Sequence, residues 1–138
     1  VGDAMRYWRL EPQDIFVLHD ELDLRPAKVR AKLAGGHAGH NGLRSIDSHI
    51  GKDYWRVRLG VGHPGDKGRV TGHVLRDFSK ADKQWVDKTL DAVADAIPHL
   101  LNSDSSAFTS RVALLTQPPK ATKSQDDADA FSESKKER

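Results

Sequence analysis

Apolar positions along this chain recur first every two residues and then every three or four, so strands and helices alternate. Residues 2–10 read as the end of an amphipathic helix with Met5, Trp8 and Leu10 on its inner side, and Glu11, Pro12, Gln13 and Asp14 break it. The run Ile15, Phe16, Val17, Leu18 is apolar throughout and bounded by turn formers, which predicts a central strand covered on both faces. In residues 28–33 the cations Lys28, Arg30 and Lys32 alternate with Val29, Ala31 and Leu33. In residues 55–61 Arg56 and Arg58 alternate with Trp55, Val57, Leu59 and Val61. Both patterns predict half-buried strands with a cationic outer side. Between them Leu43, Ile46 and Ile50 sit at helical spacing, with Gly51 as the stop.

Further along, residues 62–68 read as a loop and residues 70–75 as another strand or a mobile connection. Ser79, Lys80, Ala81 and Asp82 resemble a capping box with Asp in place of Glu, opening the clearest helix. Its stripe is Val86, Leu90, Val93 and Ile97, and Pro98 is expected to bend or stop it. A short helix over 105–115 follows. From Thr116 on, Pro, Lys, Ser, Asp and Glu dominate, so residues 116–138 are expected to be a disordered polar tail. The fold class is therefore α/β: one domain over residues 1–115, a sandwich whose mixed, twisted sheet is flanked by helices. The sheet is expected to be mixed because some connections read as direct strand-to-strand returns.

Composition narrows the function. A hydrophobic share of 37% in 138 residues supports one modest core. No cysteine occurs, which excludes disulfide, thiolate and zinc-thiolate chemistry and fits a cytoplasmic protein. The longest apolar run is far too short to span a bilayer, so no membrane association is expected. Charge changes the picture more. Residues 25–76 hold eleven Lys or Arg against three acids, a net +8, while residues 1–24 carry −4 and residues 77–138 carry −2. The total of +2 hides a cationic region.

That region encloses Leu33, Ala34, Gly35, Gly36, His37, Ala38, Gly39, His40, Asn41, Gly42, Leu43. Glycines there permit positive φ and close approach of a ligand to backbone N–H groups, but the spacing fits neither the Rossmann nor the P-loop pattern. Asp20, just past the first strand, can orient an imidazole base; a solvated acidic loop with Glu21 and Asp23 is the commoner reading of such residues. The Asn41 amide can donate to an ester carbonyl or oxyanion, or equally cap the next helix. His37, His40 and His63 lack a carboxylate spacing that completes a metal site, and no metal or other cofactor is expected. His19 lies on the opposite side of an extended strand from Asp20 and is a poor partner for that carboxylate. Lys28, Arg30, Lys32, Arg56 and Arg58 form a phosphate-binding surface if their two strands are neighbours with cationic sides aligned.

Three ordered blocks carry a resemblance: Val17 to Leu24 (VLHDELDL), Lys32 to Ile46 (KLAGGHAGHNGLRSI) and Arg56 to Pro64 (RVRLGVGHP). Over about residues 1–115 the chain resembles the bacterial-type peptidyl-tRNA hydrolases. The resemblance implies a metal-free hydrolase that cleaves the ester between a peptide and the terminal ribose of tRNA, with a histidine acting as base on water. It implies that Asp20 orients that base, that Asn41 helps hold the water and the ester carbonyl, and that Lys32 and Arg58 clamp a tRNA phosphate. His40 would line the site, and Gly39, Arg30 and Arg56 would join the tRNA-binding surface. Residues 63–72 and the following helix resemble a lid over the peptide cleft. Ala27, Ala34 and Ala38 stand where the family usually has glycine.

In the family the base histidine lies in a segment that would precede Val1, so this chain is expected to be the C-terminal two-thirds of such an enzyme, with very low turnover by itself. The complete enzyme is expected to be a monomer whose partner is peptidyl-tRNA. The alternative reading is a non-catalytic binder of the tRNA acceptor end. A third is self-association through an exposed sheet edge.

Overall fold

A computed structural model describes residues 1–117. Helix α1 (Gly2–Tyr7) and a short 3-10 turn lead into strand β1 (Phe16–Glu21), followed directly by β2 (Val29–Leu33). Helix α2 (Asn41–Ile50), strand β3 (Trp55–Gly60) and the short helix α3 (Val70–Leu75) come next. The long helix α4 (Lys80–Leu101) and α5 (Ser105–Thr116) complete the described part. The expected tail lies outside the described residues, apart from its first two positions: Thr116 ends α5 and Gln117 caps it.

The sheet is mixed, in the order β1-β3-β2, with β1 parallel and β2 antiparallel to β3. β1 and β2 are joined by a direct return, yet they do not pair, because β3 lies between them. The return crosses the end of β3 closely. A Cβ on Gly60 would sit 2.1 Å from the Arg25 carbonyl oxygen, so no other residue fits there without displacing backbone. Two backbone bonds pin the crossing, Gly60 N–H to Lys28 O (2.8 Å) and Gly62 N–H to Leu24 O (2.9 Å), and Lys28 N–H to Arg25 O (3.1 Å) closes the return on itself.

Val29 and Val57 point to the face where α4 and α5 supply Ala92, Val93, Ala96, Leu100, Phe108 and Val112, and these form the core. Alternation sends Arg56, next to Val57, to the opposite face, where α2 provides its partner Asp47. Phe16 stacks on Trp55 between β1 and β3, ring centroids 5.8 Å apart.

Several expectations are corrected. The centre of the sheet is β3, and β1 is an edge among the described residues, with Leu18 44% exposed. Its apolar run does not mark the middle, because the strand continues through His19, Asp20 and Glu21. α1 ends at Tyr7, leaving Trp8 and Leu10 exposed and Met5 half-buried. Residues 70–75 are helical, neither a strand nor an irregular connection. On α4 the buried positions are Thr89, Ala92, Val93, Ala96 and Leu100, with Leu90 exposed, so the inner stripe is rotated from the one the large aliphatics mark. Pro98 does not stop that helix, which runs on to Leu101. Near a C-terminus proline removes a single intrahelical bond. The capping box at Ser79 and Asp82 forms as expected, and bonds from Trp85 and Ser79 hold the Asp82 carboxyl below its usual range.

Candidate active site

Asp20, at the end of β1, reaches the start of α2 through one side chain: His40 Nε2 lies 2.8 Å from Asp20 Oδ1. His40 is the N-cap of α2, and its Nδ1 accepts the Leu43 N–H at 3.2 Å. A backbone N–H can only donate, so the neutral ring carries its proton on Nε2 and donates it to Asp20. Both ring nitrogens are thereby engaged. Gly42 keeps the ring in place, since a Cβ there would lie 2.9 Å from His40 Cε1. Asn41 therefore does not cap the helix. It occupies the first helical position, exposed and next in sequence to the residue that Asp20 holds.

His19 is the site residue that alternation did not bring forward. Its side chain does not bond the Asp20 carboxylate, in keeping with the sequence reading, but its Nδ1 donates to the Asp20 carbonyl at 2.8 Å. The ring is 8% exposed and stands edge-on to His40 with centroids 5.2 Å apart. Burial pushes its pKa below 6.5, against the pull of the Asp20 carbonyl bond, and the neighbouring His40 lowers it further. Nε2, left as an acceptor, is buried and unpartnered among the described residues. An apolar run ending in His-Asp offered the only sequence signal for this residue.

The glycine-rich segment is fastened to the sheet by Arg56. Its Nη1 donates to Gly36 O at 2.8 Å and its Nη2 to Asp47 Oδ1 at 3.2 Å, while its guanidinium lies 4.5 Å from the centre of the Tyr54 ring. Tyr54 Oη donates to the same Asp47 oxygen at 2.6 Å. Burial and that bond push the Tyr54 pKa up to about 12. Arg56 is 3% exposed, which corrects its placement on an outward cationic face: the helix covering this side of β3 takes its charge inward. Ala34 (φ 60°), Gly35 (118°), Ala38 (48°) and Gly39 (80°) are left-handed, while Gly36 and Gly42 are not.

β2 and β3 are neighbours with their cations in register, Arg30 opposite Arg58 and Lys32 opposite Arg56. Arg58 Nε donates to Glu21 at 3.1 Å and remains 30% exposed. Arg30 and Lys32 are exposed, and no carboxylate pairs with them among the described residues. The Lys32 ammonium lies along the glycine segment, 3.4 Å from where a Gly35 Cβ would be. His37 and His63 each accept a backbone N–H two residues on, at Gly39 and Gly65, so they shape turns. Among the described residues no cluster of three His, Asp or Glu is arranged to hold a metal ion. No described helix is long and apolar enough to cross a membrane.

Comparison with known proteins identifies the family. A family profile described as peptidyl-tRNA hydrolase matches residues 1–123. The chain is 56% identical over 119 residues to the peptidyl-tRNA hydrolase of Rhodospirillum centenum, covering 86% of this chain and 52% of that protein. It is 58% identical over 118 residues to that of Roseobacter denitrificans, covering 86% and 51%. The crystal structure of the Acinetobacter baumannii peptidyl-tRNA hydrolase superposes with a TM-score of 0.74 at 37% identity, covering 81% of this chain and 57% of that one. The chain thus spans about half the length of the curated relatives it matches. On the extent of the family match and the identity to these relatives, the chain belongs to the peptidyl-tRNA hydrolase family.

Proposed function

We propose that this chain carries the substrate-holding half of a metal-free esterase that cleaves peptide from tRNA. The observation that carries the reading is the Asp20–His40 bond, which ties a carboxylate at the end of β1 to the N-cap of α2, the residue before Asn41. Asp20 then uses its second oxygen to orient a base imidazole and stabilise its protonated form. Asn41 donates to the ester carbonyl and its oxyanion while accepting from the attacking water. Lys32 and Arg58, with Arg30, hold a phosphate of the acceptor end, and Gly39 and His40 line the approach. Residues 63–72 and the helix after them close over the peptide.

Neither histidine of the pair is suited to be that base. His40 has both nitrogens engaged, and the free nitrogen of His19 is buried. The reading gives the base to another imidazole and expects the 138-residue chain alone to be nearly inactive. Hydrolysis of an N-acetyl-aminoacyl-tRNA is expected from the protein at the length of its relatives. There Asp20→Asn should lower kcat by about 10²–10⁴. An unchanged rate would remove Asp20 from this role.

The unpaired cations favour a second reading, a non-catalytic binder of the acceptor end. It expects salt-sensitive RNA binding with no product released even at full length. A cytoplasmic, monomeric protein completes the proposal, supported by the lack of cysteine and checked by molecular mass in solution across concentrations.

A further inference from the structure

Asp20 can direct a base imidazole only if its free oxygen points one way, and a single bond does not secure that. His40 holds Oδ1, but the carboxyl is 41% exposed and can swivel about that contact. β3 does not hold the residue either. It takes the carbonyls of Ile15 and Glu21, and in a parallel pair every second residue turns its N–H and C=O the same way, so the main chain of Asp20 faces away from β3. The group that holds it there is His19. Its Nδ1 donates to the Asp20 carbonyl at 2.8 Å and closes a ring of atoms that passes through the Asp20 Cα. That ring restrains φ and ψ of Asp20, the two soft angles that set the direction in which its side chain leaves the strand.

We infer that His19 is a positioning residue for the Asp20 carboxylate. The inference rests on the proposed reading, in which Asp20 orients the base, and adds to it the residue that aims Asp20. Asp20 is held at two points, its main chain by His19 and its Oδ1 by His40. With both fixed, the second oxygen has one direction left. The two rings stand edge-on with centroids 5.2 Å apart, so each limits the movement of the other. His19 is buried and its Nε2 meets no partner among the described residues, which leaves Nδ1 as its polar contact. Being buried, it acts through Asp20 and not on the substrate.

The test measures hydrolysis of an N-acetyl-aminoacyl-tRNA by the protein at the length of its relatives. His19→Leu removes the donor and is expected to lower kcat about tenfold or more with KM within about twofold, because a misdirected catalytic group costs rate and not binding. His19→Asn, whose amide nitrogen falls at the place of Nδ1, should restore kcat to within about threefold of the unaltered protein. His19→Gln, whose amide reaches the place of Nε2 instead, should behave as His19→Leu does and replaces it if that variant does not fold. Val93→Ala, a core change on α4, should lower the midpoint of urea unfolding and leave kcat alone. An undiminished kcat without the Nδ1 donor, or an equal loss in His19→Asn and His19→Gln, overturns the inference and leaves the proposed function standing. If the unaltered protein releases no peptide, the proposed function falls, and 15N-histidine spectra of the 138-residue chain decide the inference. His40 should then be a single Nε2–H tautomer in that chain and in His19→Asn, and a mixture of tautomers in His19→Gln. The same single tautomer in His19→Gln overturns it.

Discussion

β2 and β3 carry the same pattern, cations alternating with apolar residues, and place those cations opposite one another, yet the two rows have contrasting fates. On β3 both arginines have partners within the molecule: Arg56 ties Gly36 and Asp47 beneath α2, and Arg58, still 30% exposed, meets Glu21 of β1 through Nε alone. On β2, Arg30 and Lys32 remain exposed and unpaired among the described residues. Position in the sheet makes the difference. A central strand has a neighbour on each side and here a helix over its polar face, so charge there must be matched or removed. An edge strand leaves its charge to solvent or to a ligand.

The largest effect that can break this contrast is Arg56→Met, which strands the buried Asp47 carboxylate and frees the Gly36 carbonyl. Urea unfolding should show a loss of about 3–5 kcal/mol. A loss under about 1 kcal/mol would place Arg56 with the surface cations. Gly60→Ala should cost about 1–3 kcal/mol by forcing the return away from β3, and a neutral result would mean the crossing is looser than its 2.1 Å approach.

A further change follows pH. His19 is neutral in the fold with its pKa held below 6.5, so the unfolded chain binds the extra proton. Its contribution to stability is present above about 6.5 and declines as pH falls below that value. His19→Asn keeps a donor for the Asp20 carbonyl and does not titrate, so it should flatten that part of the profile; an unchanged profile would assign the decline to other groups. The smallest effect belongs to β2. Lys32→Gln and Arg30→Gln should each alter stability by less than about 0.5 kcal/mol, whatever they do to RNA binding.

Much of this arrangement was legible in the chain. The period-two segments became β2 and β3, the spacing of Leu43, Ile46 and Ile50 became α2 with Gly51 at its end, and Ser79 and Asp82 opened α4. Strand order was not legible, because an apolar run such as residues 15–18 reports hydrophobicity and not which neighbours pair with it. Nor was the burial of Arg56, since alternation separates two faces without saying what covers each. The face of α4 was legible in part: Val93 and Ile97 do meet the core, but small Ala92 and Ala96 pack there too while Leu90 extends outward. At the site, Asp20 and Asn41 were singled out, but the bond that ties Asp20 to the start of α2 depends on an imidazole acting as a helix cap, a role usually filled by Ser, Thr, Asp or Asn.

Left-handed alanines at 34 and 38 give the glycine segment a stored cost, about 1–2 kcal/mol for each residue held in that region. Arg56 on Gly36 and the Ala34 N–H on Tyr54 O are the fasteners that keep it there. The rim beside Asp20 thus behaves as a sprung catch. Loss of the Arg56 bond is expected to relieve that cost, so in Arg56→Met the amides of residues 34–39 should be among the first in the sheet's vicinity to exchange their hydrogens with water.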